Sequence, residues 1–219
     1  MRGPVIEKIL EQKLIAIVRG MPAERIVPLA RALCEGGITL IEVTFNQAQP
    51  GSFAETAGAI AAIREACGEA ACVGAGTVMN PEQLHMACDA GARFIISPNA
   101  DPDIIRETRA LGLVSMPGCM TATECALAHR HGADFVKLFP AGRLGADYLR
   151  DLRAPLSHIR FLAVGGITPQ KIPEFLRAGA LGFGVGGSLV NPGLAAAGKY
   201  GEITAIAREY VRATNCEHT

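Results

Sequence analysis

Apolar residues in this chain fall in short blocks separated by longer amphipathic stretches. The blocks Leu14–Val18, Ile38–Thr44, Cys72–Val78, Phe94–Ser97, Leu113–Met116, Phe135–Phe139, Phe161–Val164 and Leu181–Val185 are short and nearly continuous, which predicts buried strands. Helical periodicity fills the intervals at Ala23–Cys34, Ser52–Ala66, Pro81–Ala90, Pro102–Ala110, Thr121–Arg130 and Pro169–Ala178, several opened by a capping residue or an early proline. The sixth helix is the weakest, because Gly142–Pro155 holds both glycine and proline. Gly3–Lys13 predicts a further helix ahead of the first strand, and Pro28 predicts a late start or a kink in the helix that contains it. Glycine recurs just before strands, at Gly36-Gly37, Gly91, Gly112, Gly132 and Gly179, where a left-handed residue ends a helix.

Eight strand–helix units without a linker place the chain in the α/β class. They predict a single (β/α)8 TIM barrel spanning residues 1–219, with the additional N-terminal helix beneath it. An open doubly wound sheet would share the same local pattern. Hydrophobic residues make up 49% of the chain and charged residues 19%, enough for a large core and too apolar for a disordered polymer. Lys and Arg total 21, as do Asp and Glu, so no net charge draws nucleic acid or an anionic membrane. With aromatics at 5% and no tryptophan, stacking platforms for bases lack material, and the expected partner is a small molecule. The uncharged run 178–198 is long enough to span a bilayer, but its glycines and the Asn191-Pro192 break favour a strand and a tight loop.

The 7 cysteines, at 34, 67, 72, 88, 119, 125 and 216, form no Cys-x-x-Cys pair and predict a reducing, cytoplasmic setting; the charged start of the chain shows no export segment. His129 and His131 lie near a helix C-terminus while His85, His158 and His218 are isolated, so no metal site is expected.

In a parallel barrel the chemistry sits at the C-terminal strand ends. Side-chain alternation turns Ile41 and Val43 toward the helices and Leu40, Glu42 and Thr44 toward the axis. It likewise turns Phe135, Lys137 and Phe139 inward, with Val136 and Leu138 outward. Arg19 follows the parity of Ile15 and Ile17 and stands at the rim of the first strand. Arg93, Asp134 and Arg160 begin their strands, where solvation or structural pairing accounts for them. Glu42 and Lys137 thus share one cavity. Desolvation of an ammonium favours the free amine, which makes Lys137 a candidate nucleophile. A buried Lys137–Glu42 ion pair without chemistry is the competing reading.

Two glycine-rich loops add an anion site. Gly165-Gly166 follows the seventh strand and Gly186-Gly187-Ser188 the eighth, the pair of positions at which such barrels cradle phosphate on backbone amides, with Ser188 adding a hydroxyl. Relief of crowding at the strand ends is the competing reading of the glycines, and the location of both loops favours the anion. Gly74-Ala75-Gly76-Thr77 lacks the third glycine of a dinucleotide loop and brings Thr77 close to a ligand.

Taken in order, Ile17-Val18-Arg19-Gly20, Ile41-Glu42-Val43-Thr44, Gly74-Ala75-Gly76-Thr77-Val78, Ile96-Ser97-Pro98-Asn99, Pro117-Gly118, Phe135-Val136-Lys137-Leu138-Phe139-Pro140, Val164-Gly165-Gly166-Ile167-Thr168-Pro169 and Gly186-Gly187-Ser188 resemble the class I 2-keto-3-deoxy-6-phosphogluconate (KDPG) / 4-hydroxy-2-oxoglutarate (KHG) aldolase family. The resemblance implies a Schiff base between Lys137 and pyruvate or a longer 2-keto acid, with Glu42 as general acid/base. It further implies Arg19, Thr44 and Thr77 as substrate contacts, Pro98 and Phe139 as walls of the pyruvyl pocket, and Gly165, Gly166, Gly186, Gly187 and Ser188 around the phosphate. It implies a homotrimer, and no metal or other cofactor, since the imine supplies the polarisation. Asn46 stands where phosphogluconate-cleaving members carry arginine, and with Arg19-Gly20 it is similar to the phosphogalactonate branch. Leu138 replaces the first of the family's two phenylalanines after lysine. The products expected are pyruvate and glyceraldehyde 3-phosphate, or glyoxylate if the substrate is 4-hydroxy-2-oxoglutarate. The rivals are a phosphate-binding isomerase or synthase that keeps Lys137 as a plain cation, and a non-enzymatic sugar-phosphate-binding barrel.

Overall fold

The computed structural model describes residues 2–215; Cys216 and His218 lie outside the described residues. The first helix, α1 (Arg2–Gln12), leads into β1 (Leu14–Val18), and the chain then alternates. The strands that follow are β2 (Leu40–Thr44), β3 (Cys72–Gly76), β4 (Phe94–Ile96), β5 (Val114–Met116), β6 (Gly118–Cys119), β7 (Val136–Leu138), β8 (Phe161–Val164) and β9 (Gly182–Val185). All are parallel, in the order β5-β4-β3-β2-β1-β9-β8-β7-β6.

The two ends of that order are one piece of chain. Only Pro117 separates β5 from β6, and a residue without an N–H interrupts a ladder. β5 pairs with β4 on one side and β6 with β7 on the other, while Asp134 N–H donates to Ser115 O and Lys137 N–H to Pro117 O, each at 2.9 Å. The sheet therefore closes into the eight-staved barrel expected, and the open-sheet alternative falls away.

Alternation sorts the apolar residues into two layers. Ile15, Leu40, Phe94, Ile96, Val114, Met116, Phe135, Leu162 and Val164 fill the barrel, where Val5 and Ile9 of α1 join them from below. Leu14, Ala16, Val18, Ile41, Val43, Val136 and Leu138 belong instead to the layer between strands and helices. Two of the strand-initial charges are structural: Asp134 pairs with Arg2 of α1 and accepts the Ser115 N–H at 3.0 Å, and the Arg160 guanidinium lies 5.8 Å from the Phe135 ring centre.

The outer helices are α2 (Ala23–Glu35), α3 (Phe53–Cys67), α4 (Pro81–Asp89), α5 (Pro102–Ala110), α6 (Ala122–Arg130), α7 (Ala141–Leu144), α8 (Ala146–Arg153), α9 (Ile172–Arg177), α10 (Pro192–Ala196) and α11 (Tyr200–Asn215). Asn80, Asp101 and Thr121 cap α4, α5 and α6 with side-chain oxygens. The late start expected from Pro28 does not occur, since α2 begins at Ala23 and runs through the proline. The weak sixth helix is two short ones, divided at Gly145, whose φ of 88° is closed to most side chains. The helix expected from Pro169 begins at Ile172. The sequence pattern did not predict α11. Its buried residues Ile203, Thr204, Ala207, Tyr210 and Thr214 form a helical stripe that includes two threonines, which dilute the apolar signal. Among the described residues no helix is long and apolar enough to cross a membrane.

Candidate active site

The C-terminal strand ends converge on a cavity of about 610 Å³. Ile17 and Arg19 come from β1 and its end, Glu42 from β2, Thr77 from beyond β3 and Pro98 from beyond β4. Lys137 and Phe139 come from β7 and its end, Val164 to Ile167 from β8 and its loop, and Gly184 to Ser188 from β9 and its loop. Every residue expected at the site lines this cavity except Thr44. Its hydroxyl donates instead to the Val18 carbonyl at 3.3 Å, joining β2 to β1. Parity turns Thr44 inward, but a backbone acceptor on the neighbouring strand takes its hydroxyl. Asn46 is also absent from the lining. Its amide is engaged in its own loop, donating to Gln49 Oε1 at 3.2 Å and accepting the Ala48 N–H at 3.1 Å.

Glu42 is 2% exposed and Lys137 8%. Burial is the dominant influence on both: it pushes the Lys137 ammonium below its ordinary pKa and the Glu42 carboxyl above its own. Their mutual attraction acts against burial in each case. The Arg19 guanidinium at the rim lowers both. The two side chains nevertheless form no ion pair within 4.0 Å. Glu42 Oε2 is buried without a hydrogen-bond partner, and Lys137 Nζ stands 4.9 Å from the centre of the Phe139 ring. The site therefore lacks the direct salt bridge that a purely structural pairing would require. Gly76 makes room for the acid, because a Cβ there would collide with the Glu42 carboxylate.

Thr77 sits in the left-handed region at φ 56°, strained for a β-branched residue. Two amides hold it. Gln47 Nε2 donates to the Thr77 carbonyl at 2.7 Å. Gln47 Oε1 accepts from Gln83 Nε2 at 3.0 Å, and Gln83 Oε1 accepts the Met79 N–H at 2.8 Å. Neither glutamine was legible as a site residue, since an uncharged amide has no positional signature.

On the opposite wall the loops after β8 and β9 face each other. Gly165 and Gly166 have φ of 90° and 72°, and the N–H groups of Gly166, Gly187 and Ser188 make no hydrogen bond within the described residues. Free amides on adjacent glycine loops form a concavity suited to an anion. Among the described residues no group of His, Cys, Asp and Glu side chains is placed to hold a metal ion.

Comparison with known proteins fixes the family. The family model described as KDPG and KHG aldolase matches residues 5–206. The chain belongs to the KDPG and KHG aldolase family. This aldolase, a carbon–carbon lyase by membership, is 36% identical to the 2-dehydro-3-deoxy-6-phosphogalactonate aldolase of Escherichia coli K12, over 82% of this chain and 85% of that one. It is also 36% identical to the 2-dehydro-3-deoxy-phosphogluconate aldolase of Treponema pallidum, over 94% and 95% of the two chains. Among solved structures, the KDPG aldolase of Legionella pneumophila, with pyruvate captured at low pH as a covalent carbinolamine, superposes with a TM-score of 0.83 at 25% identity, covering 95% of this chain and 97% of that one.

Proposed function

We propose that this aldolase, acting as a single barrel domain, cleaves 2-keto-3-deoxy-6-phosphogluconate or its galactonate epimer to pyruvate and glyceraldehyde 3-phosphate through an imine on Lys137. The observation that carries this reading is a buried lysine amine facing the cavity across from a buried carboxyl, the amine without a salt-bridge partner and one carboxyl oxygen without a hydrogen-bond partner among the described residues. Desolvation lowers the Lys137 pKa and so favours the free amine that acts as nucleophile. The amine attacks C2 of the keto acid to give a carbinolamine, and Glu42, its pKa raised by burial, donates the proton that lets water leave. The iminium then draws electrons from the C3–C4 bond. As that bond breaks, the Glu42 carboxylate accepts the C4 hydroxyl proton, the aldehyde departs, and an enamine remains. Protonation at C3 and hydrolysis of the imine release pyruvate and restore the amine.

Arg19 and Thr77 flank the position of the substrate carboxylate, and Pro98 and Phe139 wall the pyruvyl group. The loops carrying Gly165, Gly166, Gly186, Gly187 and Ser188 hold the phosphate on backbone N–H groups. The iminium performs the polarisation for which a metal would serve in another aldolase class, so turnover is expected to withstand chelators. We further propose a homotrimer, tested by its mass at sedimentation equilibrium. A cytoplasmic location is supported by the free cysteines at 34, 67, 72, 88, 119 and 125.

Borohydride reduction in the presence of pyruvate tests the mechanism. The expected result is an irreversible carboxyethyl adduct on Lys137, absent in Lys137→Ala, which keeps its fold and loses cleavage. An unmodified protein, under conditions that label a control aldolase, would instead favour the phosphate-binding isomerase or a non-catalytic barrel.

A further inference from the structure

The two anion-facing loops are tied together from behind by α11. Tyr210, 1% exposed, places its phenol oxygen 2.9 Å from Ser188 Oγ and 3.2 Å from the Ile167 carbonyl oxygen, and Ser188 Oγ lies 3.4 Å from that same carbonyl. Ile167 belongs to the loop after β8 and Ser188 to the loop after β9, and both line the cavity. One side chain from outside the barrel thus reaches both loops.

Each hydroxyl has one proton and the Ile167 carbonyl can accept from either, so the triangle has several arrangements, and two of them differ in where the Tyr210 proton goes. In one, Tyr210 donates to Ile167 and accepts from Ser188, which turns the serine proton away from the cavity and leaves an acceptor facing it. In the other, Tyr210 donates to Ser188, whose own proton goes to the Ile167 carbonyl at 3.4 Å or, exchanging that long bond for a better one, to a group in the cavity. An anion stabilises the second and disfavours the first. Burial raises the phenol pKa, so Tyr210 remains a donor at neutral pH. Donation into Ser188 also polarises its own O–H, strengthening the next bond in the chain.

We propose that Tyr210 is a positioning residue for the phosphate subsite: by donating to Ser188 it aims the serine proton at a phosphoryl oxygen, so that preference for phosphorylated keto acids depends on the C-terminal helix. This deepens, and rests on, the phosphate reading of the two loops. Tyr210 touches neither the reacting carbons nor Lys137, and its effect is confined to the distal end of the substrate.

The test is steady-state kinetics of the full chain and its Tyr210→Phe, Ser188→Ala and doubly substituted variants. The substrates are a 2-keto-3-deoxy-6-phospho sugar acid and the unphosphorylated 4-hydroxy-2-oxoglutarate. Tyr210→Phe is expected to raise KM for the phosphorylated substrate by roughly 3- to 10-fold, the effect of one neutral hydrogen bond, with kcat and both constants for the unphosphorylated acid unchanged. Ser188→Ala should show the same selectivity, and the double variant should be no worse than Ser188→Ala alone. An unchanged KM, equal losses on both substrates or additive losses in the double variant would overturn the proposal; equal losses would reduce Tyr210 to packing. A wild-type enzyme that shows no preference for the phosphorylated acid and no competitive inhibition by inorganic phosphate would overturn the phosphate reading itself, and this inference with it.

Discussion

Lys137 and Glu42 are buried in one cavity that penalises charge on both, and each favours the charged form of the other. Removing the Glu42 charge in Glu42→Gln takes away the neighbour that favours the ammonium. The Lys137 pKa then falls further, and the pH midpoint for trapping pyruvate on it moves down. Removing a cation in Arg19→Leu does the opposite and moves that midpoint up. Trapping yield against pH checks both signs, while turnover by Glu42→Gln should drop by about 10²- to 10⁴-fold because its proton transfers are lost. Alternation alone placed Glu42, Lys137 and Phe139 in the cavity, because a charge on an inward position of an apolar strand needs a reason to be there. Thr44, Gln47, Gln83 and Tyr210 were not legible in this way. Their roles depend on which acceptor lies within reach, a distance set by other strands and helices.

Between helices and strands, the left-handed glycines form a repeating joint. Gly91, Gly132 and Gly179 have φ of 92°, 100° and 95°, and beside each lies an arginine from the preceding layer: Arg64 of α3, Arg109 of α5 and Arg153 of α8. Arg109 Nη1 donates to the Gly132 carbonyl at 2.9 Å. A Cβ at Gly132 would stand 2.5 Å from Arg109 Cδ, in a conformation that already disfavours alanine. Gly132→Ala is therefore expected to destabilise the protein by about 1–3 kcal/mol, measured by urea unfolding, with KM unchanged. The glycines themselves were readable from their recurrence before strands. Their arginine partners were not, since each comes from a different helix. The same limit hid α11: it returns to no strand, and its threonines and alanine suit a tight contact more than an obvious apolar face. The late start expected from Pro28 failed for the reverse reason, since tertiary packing of α2 outweighed one missing backbone bond.

At the scale of the whole molecule, the layers were legible from alternation, and the closed barrel was expected from the count of eight strand–helix units, with an open sheet as its rival. Local pattern is the same in open and closed parallel sheets, and the deciding link is the strand split at Pro117 into β5 and β6. The bottom of the barrel is occupied by α1, whose Ile9 is 1% exposed among the interior residues. Ile9→Ala should lose about 2–5 kcal/mol of stability, read by chemical unfolding, while leaving kcat and KM close to wild type because it lies at the end opposite the chemistry. A floor stopped in this way makes the barrel a blind well. Lys137 lies below the lip and the exposed glycine loops lie on it. On the proposed mechanism a cleaved substrate is expected to leave in a queue: the aldehyde lodged nearest daylight goes first, and the three-carbon remnant tethered to Lys137 is cut loose only after the shaft above it has cleared.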